Sequence, residues 1–138
     1  MAVNCVVGLL VVSHSYKIAE GIKDLVKEMV VKPIPFVAVG GTFDNRLGTD
    51  PEKILVSLEQ LCSPDGVLVL YDFGSSLLSV EAAVSLLPAE KQENIAVFHT
   101  PLIDGSLSAA MEISFNKNMG DIIKSLHSIN QLYAAKTD

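Results

Sequence analysis

A chain of 138 residues, 49% of them hydrophobic and 19% charged, can bury one core, is too short for two and is too apolar to stay disordered. Sixteen acidic against ten basic residues leave a formal charge of −6, the wrong sign for following a phosphate backbone, so nucleic acid is not the expected partner. The longest apolar run, Cys5 to Val12, falls far short of the roughly 18–20 residues that cross a bilayer, and neither a basic stretch nor a cleavage site flanks it. The expectation is a single domain over residues 1–138, cytoplasmic and free of membrane, with Cys5 and Cys62 reduced because two distant cysteines make neither a metal site nor a disulfide framework.

Cys5 to Val12 is a continuous β-branched and leucine run that suits a strand covered on both faces, and Ser13-His14-Ser15 breaks it. Ile18, Ile22, Leu25, Val26 and Met29 then recur at helical spacing with charged residues between them, which predicts an amphipathic helix. Pro33 and Pro35 introduce a short strand, Phe36 to Val39, and Gly40-Gly41-Thr42 opens a polar loop that lasts to Asp50. Thr49-Asp50-Pro51-Glu52 is a helix start: a Thr or Asp cap, proline in the first turn and Glu52 spaced to close a capping box on Thr49. Ile54, Leu55, Leu58 and Leu61 supply the buried face of that helix.

Ser63 to Gly66 is a turn, Gly66 to Tyr71 a third strand, and Asp72 its end. Phe73-Gly74-Ser75-Ser76 leads into a helix whose apolar side is Val80, Ala83, Val84 and Leu87, and Pro88 closes it. A fourth strand over Asn94 to Phe98, a helix from about Gly105 to Ser114, and a last helix carrying Ile122, Leu126, Ile129 and Tyr133 complete the chain, with Ala134 to Asp138 expected to fray. Strands alternating with helices predict an α/β fold: an open, mostly parallel four-stranded sheet of order 2-1-3-4, with room for an extra edge strand and helices on both faces.

In such sheets functional groups gather at the carboxyl ends of the strands, where strand order reverses. The order 2-1-3-4 puts that reversal between the first and third strands and brings His14 beside Asp72. A neutral imidazole attacks phosphorus well when a carboxylate fixes the N–H of its other nitrogen, and Asp72 is placed to be that carboxylate. Ser15, Gly41, Thr42, Gly74, Ser75 and Ser76 stand just before helices or in the glycine turn, where free N–H groups stabilise phosphoryl charge. The bland alternative is that His14 merely ends a turn, Asp72 merely enters a helix and the small residues merely cap. His99 also ends a strand on this edge but reads as structural, and His127 reads as a solvent-border residue. No P-loop, dinucleotide fingerprint or nucleophile elbow occurs in the sequence, which disfavours direct nucleotide binding and hydrolase chemistry.

Taken together, Gly8 to Ser15, Val39 to Thr42, Leu47 to Ile54 and Gly66 to Ser76 resemble the mannose-type EIIA domains of phosphotransferase systems. The nearer likeness is to the DhaM branch, which serves phosphoenolpyruvate-dependent dihydroxyacetone kinases. The likeness extends from the first strand to Pro101–Gly105. It implies a phosphohistidine carrier at His14, oriented by Asp72 and charged by a separate HPr, that discharges to ADP on the partner subunit DhaL, which works with DhaK. It also implies a homodimer with no metal or other cofactor of its own, and the acidic surplus would steer a basic carrier such as HPr. Asp44 to Leu47 departs from the pattern, with Asn45 and Arg46 where a glycine and a small or acidic residue are expected. Two other readings stand beside this one: an EIIA component that hands phosphate to a sugar permease, and a binding module regulated by phosphorylation of His14.

Overall fold

The computed structural model describes residues 6–61 and 63–136. Four parallel strands, β1 (Gly8–Ser13), β2 (Phe36–Gly40), β3 (Val67–Tyr71) and β4 (Ile95–His99), form one sheet in the order β2-β1-β3-β4. Six helices connect and cover them: α1 (Tyr16–Met29), α2 (Pro51–Gln60), α3 (Gly74–Ser85), α4 (Ala89–Gln92), α5 (Leu102–Ser114) and α6 (Met119–Lys136). The expected order is the observed one, and no further edge strand occurs among the described residues. Cys5 and Cys62 lie outside them.

The unbroken apolar strands follow from a sheet buried on both sides. Alternate residues of β1 and β3 point to opposite faces, so Leu9, Val11, Leu68 and Leu70 join Ala19, Ile22, Val26, Ala109, Ile113, Ile122 and Leu126 in one core beneath α1, α5 and α6. Leu10, Val12 and Val69 join Ile54, Leu58, Val80 and Ala83 in the other, beneath α2 and α3. On α1 the buried seam runs through Ala19, Ile22 and Val26, while Ile18, Leu25 and Met29 sit at its margins and remain substantially exposed.

Several boundaries differ from expectation. Asp50, not Thr49, caps α2: its Oδ1 accepts the Glu52 N–H at 2.9 Å, whereas the Thr49 hydroxyl shares a 2.6 Å hydrogen bond with that of Ser79. A tertiary partner on α3 thus takes the group that local spacing assigns to a capping box. Helix α5 begins at Leu102, directly after Pro101, whose fixed φ of −52° launches it earlier than Gly105. The short α4 follows Pro88 in the same way and had no apolar period to announce it. Helix α6 runs through Lys136, and residues 137 and 138 of the tail expected to fray lie outside the described residues.

Because Asp50 supplies the side-chain cap of α2, Asp50→Ala is expected to lower unfolding stability by about 1 kcal/mol, read as a shift in the denaturation midpoint with an unchanged m-value.

Candidate functional site

The reversal of strand order between β1 and β3 opens the crevice at their carboxyl ends, and His14 and Asp72 are the residues immediately beyond those two strands. Asp72 is the junction of the site. Its Oδ2 accepts the Ser13 hydroxyl at 2.8 Å and the His14 main-chain N–H at 3.0 Å. Its Oδ1 accepts the Phe73 N–H at 2.8 Å, the Ser76 hydroxyl at 2.9 Å and, more distantly, the same His14 N–H at 3.2 Å. Among the described residues no hydrogen bond joins this carboxylate to the His14 ring. Asp72 therefore holds His14 by its backbone, where sequence reasoning had it holding the imidazole; four donors already occupy the roughly four lone-pair positions of a carboxylate.

The imidazole is half-buried. Its Nδ1 is shielded from solvent with no hydrogen-bond partner, and the Phe73 ring meets it edge-on with centroids 5.7 Å apart. Burial of Nδ1 leaves Nε2 as the ring nitrogen an incoming group can reach. Ser15 caps α1, accepting the Ile18 N–H at 3.3 Å, and donates its own N–H to Ser13 Oγ at 3.0 Å.

The phosphate-cradle residues divide. Gly74 and Ser75 are exposed in the first turn of α3, whose leading N–H groups have no intrahelical acceptor. Ser76 is fully buried and its hydroxyl is spent on Asp72. Thr42 donates its N–H to the Arg46 carbonyl at 2.9 Å and its hydroxyl to Asp44 at 2.5 Å, so neither group is open to a phosphoryl oxygen. That hydroxyl also holds the Asp44 carboxyl below the usual carboxylate range.

Gly40 and Gly41 do structural work in the same loop. A Cβ on Gly40 would lie 2.4 Å from the Ser15 carbonyl oxygen, and Gly41 has φ +79°. The glycine pair lets β2 end against the β1–α1 turn, and the Gly48 N–H fastens the loop there by donating to the His14 carbonyl at 2.8 Å. Asn45 also takes a positive φ, +63°, at the stretch where a glycine was expected, and its side-chain oxygen accepts Lys53 Nζ at 2.9 Å.

On the other side of Asp72 lies an open cleft of about 370 Å³, bounded by His99, Thr100, Pro101, Leu102, Asn130 and Tyr133. Tyr133 donates its hydroxyl to Asp104 at the rim, and that bond raises the phenol's pKa above its ordinary value. His99 packs against Tyr71 and accepts at its carbonyl from Asn130, while His127 meets Phe98 edge-on at 4.9 Å. Both histidines are thereby engaged in packing. Among the described residues, no group of three or more His, Cys, Asp or Glu is placed to hold a metal. Sequence reasoning missed Ser13; the available signal was a hydroxyl at the end of an otherwise apolar buried run.

Fold and crevice together define a phosphotransferase-system EIIA-type domain. The family model for EIIA-man, described as the PTS system fructose IIA component, matches residues 8–123, and the chain belongs to this family. Its similarities single out one branch. It is 32% identical over 124 residues to the phosphoryl donor subunit DhaM of PEP-dependent dihydroxyacetone kinase 2 of Listeria innocua, covering 90% of this chain and 99% of that protein. It is also 32% identical to the corresponding DhaM of Escherichia coli, covering 85% of this chain but only 25% of that longer protein. Among solved structures, a protein of unknown function, EF1359, superimposes with a TM-score of 0.76 at 30% identity, covering 86% of this chain and 91% of that one. An EIIA component from Streptococcus agalactiae shares the fold with a TM-score of 0.66 at 16% identity, covering 91% of this chain and 92% of its own.

Because a β-carbon at Gly40 cannot coexist with the Ser15 carbonyl, Gly40→Ala is expected to cost about 1–3 kcal/mol. The His14 amide resonance should move with it, and denaturation and two-dimensional NMR check the two effects together.

Proposed function

We propose that this chain is the phosphoryl carrier of a phosphoenolpyruvate-dependent dihydroxyacetone kinase system, with HPr as donor and ADP on a DhaL subunit, itself partnered by DhaK, as acceptor. The observation that carries this reading is the placement of His14: at the carboxyl end of β1, with Nδ1 buried and the N-termini of α1 and α3 beside it. The match to a DhaM subunit over nearly the full length of both chains supports this choice of system.

In the transfer, the Nε2 lone pair forms a bond to phosphorus in line with the departing HPr nitrogen. The P–N bond to HPr breaks, and its electron pair returns to the donor's ring. Nδ1 keeps its proton, and the charge spread over the equatorial oxygens is met by free N–H groups of Gly74 and Ser75 and the positive end of α3. The reverse geometry hands the group to the ADP β-phosphate. No cofactor takes part, because the group travels as a covalent bond to His14. The acidic surplus favours encounter with a basic carrier. The working form is a homodimer in the cytoplasm.

Intact mass spectrometry with phosphoenolpyruvate, enzyme I and HPr should show gain of one phosphoryl group, absent in His14→Ala, and its loss on adding DhaL and ADP. Asp72→Asn should slow transfer on the order of 100-fold through misplacement of His14. A phosphoprotein that never discharges to DhaL–ADP would reassign the acceptor to a sugar permease or leave the phosphorylation regulatory, and a chain that gains no phosphoryl group would overturn the carrier role.

A further inference from the structure

Resting on the reading that His14 carries the phosphoryl group, we propose that Ser76 is a positioning residue acting through Asp72. Its hydroxyl occupies the lone pair that His14 Nδ1–H takes over when Nε2 is phosphorylated.

The argument is a count of donors and acceptors. Attack through Nε2 uses the tautomer with its proton on Nδ1 and leaves that proton on a cationic ring, and Nδ1 is buried with no partner. A buried N–H without an acceptor is costly, so the phosphorylated ring must find one. The carboxylate already fastened to the His14 main chain is Asp72, and its lone-pair positions are filled by four donors. One of the four must yield. The His14 and Phe73 N–H groups are fixed by the backbone. The Ser13 hydroxyl is held twice, donating to Asp72 at 2.8 Å while its oxygen accepts the Ser15 N–H at 3.0 Å. The Ser76 hydroxyl is held once, by Asp72 Oδ1 at 2.9 Å. It also stands in the first turn of α3, three residues after the N-cap Phe73, whose carbonyl lies at the i−3 spacing that the Ser85 and Ser114 hydroxyls bond in this chain. Ser76 can therefore release the carboxylate without becoming an unsatisfied buried donor itself. Its complete burial keeps water from taking over the exchange.

The consequence is a ring that is loosely set at rest and firmly set once charged. The ¹⁵N shifts of the His14 ring report its tautomer, and they are readable in the unphosphorylated protein without any partner. Ser76→Ala removes the competing donor and should raise the ratio of Nδ1–H to Nε2–H tautomer roughly fivefold at rest, the size of one net hydrogen bond. The same substitution should raise kcat for transfer from phospho-HPr and leave KM unchanged. In the wild type the Nδ1–H signature should become complete only on phosphorylation. Ser76→Cys, which keeps most of the bulk and donates weakly, should move the tautomer in the same direction if the alanine variant does not fold. An unchanged tautomer with a lowered Tm would mark Ser76 as purely structural and overturn the proposal, as would a shift toward Nε2–H. A wild type that gains no phosphoryl group overturns the carrier reading, and Ser76's part in transfer with it; that failure is seen by mass, separately from the tautomer.

Discussion

A single carboxylate ties this site together. Asp72 joins the last residue of β1, the turn after it, and the first turn of α3 through hydroxyl and amide donors from all three. Charge-assisted bonds of this kind are stronger than neutral ones and strongly directional. They bring two sheet-to-helix joints to one point, and the position of His14 depends on that point more than on any contact of its own side chain.

The sheet makes the junction possible. Parallel strands buried on both faces leave only their ends available for polar groups, and the β2-β1-β3-β4 order sends α1 and α3 to opposite faces from neighbouring strands. The gap between them presents the N-termini of α1 and α3, with the Phe73 ring along one side. Gly40 then seals the third side, since only a residue without a side chain lets the β2 end lie against Ser15.

Strand identity, strand order and the neighbourhood of His14 and Asp72 were legible in the sequence, because apolar runs ended by turn residues have few parallel arrangements. The direction of individual hydroxyls was not. Ser76 and Ser75 are indistinguishable by local pattern, yet one is sealed against Asp72 and the other faces outward. Thr49 and Asp50 were equally good caps until Ser79, 30 residues away, engaged the threonine. Each of these choices belongs to tertiary packing, which spacing along the chain does not encode. Asp72 shows the same limit: its place was readable, whereas two of the four donors that reach it come from Ser13 and His14, distant in the chain.

The left-handed turn at Asn45 has a thermodynamic meaning. Asparagine tolerates the left-handed backbone this position adopts, and its side chain ties the loop to Lys53 on α2. Glycine would occupy the same conformation without strain but would roam more widely in the unfolded chain. A non-glycine residue with an acceptable φ recovers up to about 1 kcal/mol of that lost freedom. Asparagine at this position thus narrows the unfolded ensemble of the loop beside the crevice while keeping the turn.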